Sequence, residues 1–132
     1  MSLLLMLGMA MTLAISPVGA QGPPLEFEDH DSLEAWAQES TFGGGRLYRL
    51  GQEALGLYCA DRSYTSGVYS SELALYMQAD DGYSLVLYLP LKRFVQRKAW
   101  VQDETLIIEE RPNGQREGSV EMKVPLRMLS AM

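Results

Sequence analysis

The chain has 132 residues, 47% of them hydrophobic, and a formal net charge of −6 at pH 7. This length suits a single domain with one apolar core. The acidic balance argues against a nucleic-acid partner, because phosphate binding needs a basic surface. The only cysteine, Cys59, excludes an internal disulfide, so stability must come from apolar packing.

Residues 1–20 have the pattern of a cleaved signal peptide. Residues 3–15 are apolar or small apart from Thr12, and a Ser-Pro pair follows them. The Val-Gly-Ala sequence at residues 18–20 supplies the small side chains that a signal peptidase requires before a cut at Gln21. The run is shorter than the roughly 20 residues that cross a bilayer, so we expect no membrane span in the mature chain. An uncleaved anchor is the alternative. No basic residue precedes the run, which also leaves a start upstream of Met1 open.

The predicted cleavage divides the chain into three parts. Residues 1–20 are the signal peptide, residues 21–24 (Gln-Gly-Pro-Pro) are a flexible leader, and residues 25–132 are a single β-rich domain. Small proteins exported by eukaryotic cells tend to contain several disulfides, so the lack of a cysteine pair favours a bacterial periplasm. We therefore expect a periplasmic or secreted protein.

The first part of the domain is acidic and contains one short helix. Six acidic residues and no Lys or Arg lie between residues 21 and 45, whereas the rest of the chain has eleven residues of each sign. Residues 25–28 alternate apolar and acidic, as in a short strand. Asp31 or Ser32 can then cap a helix whose apolar residues share one face, namely Leu33, Trp36 and Ala37. Three glycines at residues 43–45 end this helix.

From residue 47 onward the apolar residues recur with a period of two, which indicates strands. Leu55, Leu57 and Cys59 share one face of such a strand, which predicts a buried thiol at Cys59. The chain lacks the alternating long helices that a parallel sheet needs. The pattern therefore predicts a mainly β fold, an antiparallel sandwich or small barrel with one short N-terminal helix.

The loop of the first predicted hairpin fixes which residues face each other. A three-residue loop at residues 80–82 sets apolar residues opposite one another in three pairs: Met77 with Leu85, Leu75 with Leu87, and Leu73 with Leu89. A two-residue loop at residues 81–82 would mix the two faces. We therefore predict the three-residue loop, and we place residues 83–89 in the middle of the sheet because they are apolar on both faces.

A second hairpin is predicted between residues 105 and 124. Closing it with Arg111 opposite Glu117 sets Ile108 opposite Val120 and Leu106 opposite Met122. Three charged side chains would then face solvent, namely Glu109, Glu121 and Lys123. A two-residue turn at residues 113–114 would instead oppose like charges.

His30 is the only histidine and lies in an acidic stretch, residues 26–31. Carboxylates beside an imidazole can bind a divalent metal, but no second histidine or cysteine pair completes a set of ligands. We interpret the stretch as a solvated acidic turn. Catalysis would need His30 with a serine or with Cys59, whose burial disfavours the thiolate. We therefore predict no catalytic residue, no metal and no other cofactor; a small hydrolase using His30 is an alternative.

Residues 92–98 hold four of the eleven basic residues, among them the candidate binding residues Arg97 and Lys98. Such a segment could contact an anionic glycan, a lipid headgroup or an acidic protein surface. Two alternatives stay open. The segment could be a charged edge that prevents sheets from associating, or it could pair with the acidic N-terminal stretch.

A polar loop with two aromatic rings spans residues 64–71, and its candidate binding residues are Tyr64, Ser66, Gly67 and Tyr69. The Ser-Gly-Val-Tyr sequence at residues 66–69 resembles the Ser-Gly-x-x-Tyr loop that small periplasmic inhibitors of lysozyme insert into the enzyme's cleft, with one residue fewer. That resemblance implies a loop that contacts another protein.

Tyr76 and Tyr88 lie diagonally across the first hairpin, where they form either a stacking platform for sugars or a second buried layer. Burial is preferred because a central strand is covered on both sides. A carbohydrate-binding module using these tyrosines or Trp100 is an alternative function.

The leading prediction is a non-catalytic exported protein that binds a protein or envelope component, as an enzyme inhibitor, an immunity protein or an envelope accessory protein. The oligomeric state is left open.

Overall fold

The computed structural model describes residues 22–39, 44–52, 55–65, 69–113 and 117–132, without the side chains of residues 64 and 65. The predicted signal peptide, residues 1–20, lies outside these ranges. Within them, no helix has both the length and the apolar character that crossing a bilayer requires.

The described chain folds into two antiparallel sheets and one α-helix. In chain order the elements are β1 (Glu26–Phe27), α1 (His30–Gln38), β2 (Arg46–Leu50), β3 (Leu57–Asp61), β4 (Tyr64–Thr65), β5 (Tyr69–Ala79), β6 (Gly82–Arg93), β7 (Val95–Gln102), β8 (Thr105–Pro112) and β9 (Val120–Pro125), followed by a 3₁₀ turn at Leu126–Met128. The larger sheet, sheet A, has the order β1-β6-β5-β3-β2, with β4 also paired to β5; sheet B has the order β7-β8-β9. The predicted mainly β fold, an antiparallel sandwich with one short N-terminal helix, is confirmed.

The helix begins two or three residues earlier than predicted. Its N-cap is Asp29, whose Oδ1 accepts a hydrogen bond of 2.8 Å from the backbone N–H of Ser32. Leu33 and Ala37 are fully buried and Trp36 is half-buried, so the predicted apolar face is the one that packs on the sheet. Pro24, the last residue of the predicted leader, is already held by the fold, because its carbonyl accepts a hydrogen bond of 2.6 Å from the Tyr76 hydroxyl.

Sheet A is buried on both faces, which gives the molecule two apolar layers. One layer lies between the sheets and joins residues of sheet A to residues of sheet B: Leu57, Cys59, Leu73 and Leu75 with Ala99, Leu106 and Ile108. The other layer lies under the helix, where Leu33 and Ala37 pack with Ala60, Ala74, Tyr76 and Leu85. Tyr76 is therefore buried, as the preferred interpretation predicts, and the Tyr88 hydroxyl donates a hydrogen bond of 2.5 Å to Glu72 Oε2.

The register of the β5–β6 hairpin is partly as predicted. Leu75 pairs with Leu87 and Leu73 with Leu89, but Met77 pairs with Ser84 rather than with Leu85. The loop contains only residues 80 and 81, one fewer than predicted. A one-residue bulge at Val86 then shifts the pairing by one residue. A two-residue loop and a one-residue bulge together produce the same register beyond the bulge as a three-residue loop would.

The predicted register of the β8–β9 hairpin is wrong by two residues. Ile108 pairs with Met122 and Leu106 with Val124, and β9 begins at Val120. The last β8–β9 pair is Glu110 with Val120, so Arg111 does not close the hairpin opposite Glu117; on the other side of β8, Arg111 pairs with Gln96 of β7. A shift of two preserves the face of every residue, so Glu121 and Lys123 are exposed as predicted, while Glu109 is half-buried beside Lys98.

Gly82 is the position where the first hairpin and β1 crowd each other. Its φ is +148°, and a Cβ there would contact the backbone carbonyl oxygen of Phe27. We expect Gly82→Ala to lower the free energy of unfolding by about 2 kcal/mol, because both the backbone conformation and the contact disfavour a side chain. Urea unfolding measures the change. Asp81→Ala, in the same turn and exposed, is the control; equal urea midpoints for the two variants would contradict this description of the turn.

Candidate functional site

A pocket of about 280 Å³ opens where the chain passes from sheet A to sheet B. Strands from both sheets line it, and most of the lining side chains are polar or charged. They are Arg46, Asp61, Ser63, Tyr69, Ser70, Ser71, Val95, Gln96, Arg97, Lys98, Glu109 and Arg111, and we refer to this set as the corner pocket. Four of these side chains are cations and only two are carboxylates.

A single residue, Phe94, makes the corner between the two sheets. It separates β6 from β7 with a φ of +67°, a conformation that is uncommon for a residue with a side chain. Its N–H donates to the carbonyl of Tyr69 at 2.7 Å, and its carbonyl accepts from the N–H of Asn113 at 2.9 Å. These two bonds hold the start of β5 and the end of β8 beside the first residues of β7.

Arg97 supports the pocket from inside. Its side chain is only 8% exposed. Its Nε donates to Glu110 Oε1 at 3.0 Å, and its Nη1 donates to the carbonyls of Ser71 at 3.1 Å and Pro90 at 2.9 Å. The guanidinium therefore joins sheet B to both long strands of sheet A. Its hydrogen-bonding groups are largely used by the fold.

Glu110 balances two cations at once. Lys92 Nζ donates to its Oε2 at 2.8 Å, while Arg97 occupies Oε1. The hydrogen bond from Lys92, together with that from Arg97, holds the pKa of Glu110 below its ordinary value. One carboxylate thus faces two positive charges, so this part of the corner keeps a positive excess.

The remaining cations of the pocket are weakly compensated. Arg46 Nε lies 3.8 Å from Asp61 Oδ2, and Lys98 Nζ lies 4.0 Å from Glu109 Oε1. Both cationic side chains are exposed, at 71% and 66%. Arg111 donates a long bond of 3.4 Å to the amide oxygen of Gln96, which carries no charge. Across the described residues, none of these three cations has a hydrogen-bonded carboxylate.

The corner pocket brings together three of the six predicted binding residues. Tyr69, Arg97 and Lys98 all line it, although they come from two separate segments of the chain. The backbone of Tyr64 pairs with Ser70, which puts β4 beside the pocket. Ser66 and Gly67 lie outside the described residues.

Two arginines of the pocket, Arg46 and Arg111, were not predicted from the sequence. Each stands beside a turn, and nothing in its neighbourhood along the chain indicates that β2 and β8 approach the same place. One local feature of β5 does indicate a site here: Ser71 lies on the same face of the strand as Leu73 and Leu75, and its polar side chain is buried. A polar break in an apolar face marks the point where the core ends and a site can begin.

His30 and Cys59 do not form a catalytic pair. The His30 ring packs against Tyr58 and Tyr83, which belong to the helix side of sheet A, with ring centroids 5.8 and 6.2 Å apart. Cys59 points into the layer between the sheets, and burial raises the pKa of its thiol to about 12. The predicted buried thiol is confirmed.

A second polar cluster, which is acidic, lies at the opposite end of the β5–β6 hairpin from the corner pocket. His30, Asp31 and Glu34 place possible ligand atoms within 4.8 Å of one another on an open turn of α1. The acidic residues 28 and 29 and the turn residues Asp80 and Asp81 lie close by. The basic residues instead pair with β8, as Lys92 and Arg97 do with Glu110, so pairing between the basic segment and the acidic N-terminal stretch is not observed among the described residues.

Glu110 gives the corner a defined pH dependence. Because its folded pKa is depressed, the stabilisation is present above the ordinary glutamate pKa of about 4.3 and disappears as the pH falls through the lower folded value. We expect Glu110→Gln to lower the free energy of unfolding by about 1 kcal/mol at pH 7, and we expect this difference from the wild type to shrink as the pH falls below the ordinary glutamate pKa. Urea unfolding at a series of pH values from 7 downward tests this, with the exposed Glu121→Gln as control. A loss that stays the same at every pH would show that the carboxylate charge is not responsible.

Comparisons with protein-family models, with curated proteins and with solved structures found no significant match to this chain. The evidence for function is therefore the sequence of this chain and the geometry of the corner pocket.

Proposed function

We propose that the chain is an exported, non-catalytic protein that binds another macromolecule through the corner pocket. The observation that carries this proposal is the convergence of Tyr69, Arg97 and Lys98 from separate segments on one polar pocket. Export is inferred from the pattern of residues 1–20. The partner is a protein or an envelope component, for which this chain acts as an inhibitor, an immunity protein or an accessory factor.

Charge supports an acidic partner surface. The chain as a whole is acidic, with a net charge of −6, yet the corner pocket concentrates cations of which three have no hydrogen-bonded carboxylate among the described residues. A local field opposite in sign to the overall charge attracts a complementary surface and orients it. The electrostatic contribution acts mainly on specificity and on the rate of association.

Exposed aromatic rings at the corner supply the apolar part of the contact. Tyr69 is 43% exposed and Phe94 is 58% exposed, and the backbone bond between them keeps the two residues adjacent. Aromatic side chains carry a large share of the binding energy in protein interfaces. Cations beside two exposed rings are typical of an interface with an anchoring residue and a polar rim.

The alternative functions receive less support. A sugar platform would need exposed rings, but Tyr76 is buried and the Tyr88 hydroxyl is bonded to Glu72, which leaves the half-buried Trp100. A hydrolase would have to use His30 on an open turn, with Cys59 on the other face of sheet A. Both alternatives therefore rank below macromolecular binding.

Capture from a periplasmic extract tests the proposal. The exported chain is immobilised as wild type and as the variants Tyr69→Ala, Phe94→Ala and Met128→Ala, and the retained protein is identified and its Kd measured. We expect each aromatic truncation to weaken binding by about tenfold or more. Met128→Ala is the control and should leave Kd unchanged, because Met128 is 67% exposed in the 3₁₀ turn after β9, beside the Glu104 end of β8 and away from Phe94. Equal retention of the same partner by all variants would refute the corner pocket as the binding surface.

A further inference from the structure

We propose that the corner pocket binds a carboxylate of an acidic side chain that the partner protein presents, with Arg111 and Lys98 as the cationic ligands. This inference rests on the proposed function and names the chemistry that the pocket recognises. It follows from the charges left over at the corner, from the hydroxyl groups beside them and from the size of the pocket.

The positive charges at the corner exceed the negative ones. Arg97 and Lys92 share the single carboxylate of Glu110. Lys98 and its nearest carboxylate, on Glu109, are 4.0 Å apart, which is beyond hydrogen-bond distance. Among the described residues, the hydrogen-bond partner of Arg111 is the neutral amide oxygen of Gln96 at 3.4 Å. An incoming carboxylate would therefore find two cations, Arg111 and Lys98, that have no hydrogen-bonded carboxylate among the described residues.

Arg111 has the chemistry that a carboxylate ligand needs. Its guanidinium is planar, stays charged at every physiological pH and presents donors in a fork that matches the two oxygens of a carboxylate. It is half-buried, so a bond there is less screened than at a fully exposed arginine. Lys98, which is exposed, adds a mobile point charge to the same pocket.

Serine hydroxyls complete the polar lining. Ser63 Oγ and Ser71 Oγ lie 3.0 Å apart, and Ser71 is almost fully buried. A pair of bonded hydroxyls can rotate to donate to an oxygen that approaches from the pocket. The lining therefore offers neutral hydroxyl donors as well as cations, and both can donate hydrogen bonds to a carboxylate.

The pocket is large enough to hold an acidic side chain. Its volume of about 280 Å³ lies just below the range of roughly 300–1,000 Å³ that is usual for pockets that bury a drug-sized molecule. An aspartate or glutamate side chain fits such a volume together with a few water molecules. The exposed rings of Tyr69 and Phe94 extend the contact surface beyond the pocket, which suits a ligand attached to a larger protein.

A peptide titration tests this inference with defined probes. Blocked hexaglutamate, blocked hexaglutamine and succinate are titrated into the isotopically labelled exported chain, and binding is followed by backbone amide chemical shifts at constant ionic strength. We expect hexaglutamate to bind in the millimolar range or tighter, with shifts at the corner pocket, and hexaglutamine not to bind. Arg111→Gln and Lys98→Gln should each weaken hexaglutamate binding at least fivefold, whereas the exposed Lys123→Gln should not change it.

Three outcomes would overturn the inference. The first is the absence of hexaglutamate binding at concentrations about ten times the expected millimolar Kd. The second is equal binding by Arg111→Gln, Lys98→Gln and Lys123→Gln when all three retain the wild-type spectrum elsewhere. The third is binding of succinate with exclusion of the peptide, which would assign the pocket to a small free carboxylate.

The two proposals fail separately. If hexaglutamate binds as expected but no extract protein depends on Tyr69 or Phe94, the anion site stands and the proposed function is wrong. If a partner depends on the aromatic pair but its Kd is the same for wild type and Arg111→Gln, the proposed function stands and the carboxylate inference is wrong.

Discussion

The structure depends on one constraint: sheet A is apolar on both faces, so both faces must be covered. Strand β5 shows this directly, because Leu73 and Leu75 face the layer between the sheets while Ala74 and Tyr76 face the helix. Neither a nine-residue helix nor a three-stranded sheet could cover both faces alone. The chain therefore folds the acidic N-terminal segment over one face and, after turning at Phe94, folds β7 to β9 over the other.

The corner pocket lies where sheet A is no longer covered by an apolar layer. At the start of β5 the apolar alternation gives way to Ser70 and Ser71, and the space between the sheets is filled by Arg97 instead of by an aliphatic side chain. A buried guanidinium needs several acceptors and a counter-charge to be tolerated, and Glu110 with two backbone carbonyls supplies them. The fold thus concentrates cations at the corner, while the acidic residues gather around the turn at the far end of β5, roughly 30 Å away along an eleven-residue strand.

The sequence predicts the parts of this arrangement that depend on local alternation. The fold class, the apolar face of α1, the buried thiol of Cys59 and the register of Leu73 and Leu75 all follow from the spacing of apolar residues. Met77 was misplaced because the bulge at Val86 shifts the pairing without changing the apolar pattern. The β8–β9 register was wrong by two residues because such a shift leaves every face unchanged and so leaves no trace in the alternation. For the site, local composition identified Tyr69, Arg97 and Lys98, but Arg46 and Arg111 join them only through the packing of sheet B on sheet A, which a period of two does not specify.

Mapping the contact on the chain is the most direct test of whether a macromolecular partner binds at the corner pocket. Amide hydrogen exchange is measured for the exported chain alone and in complex with the captured partner. Protection should increase at residues 69–71, at residues 95–98 and at Arg111, with the turn at residues 80–81 and helix α1 unchanged. Protection confined to that turn and to α1, with the corner unaffected, would show that the partner binds elsewhere.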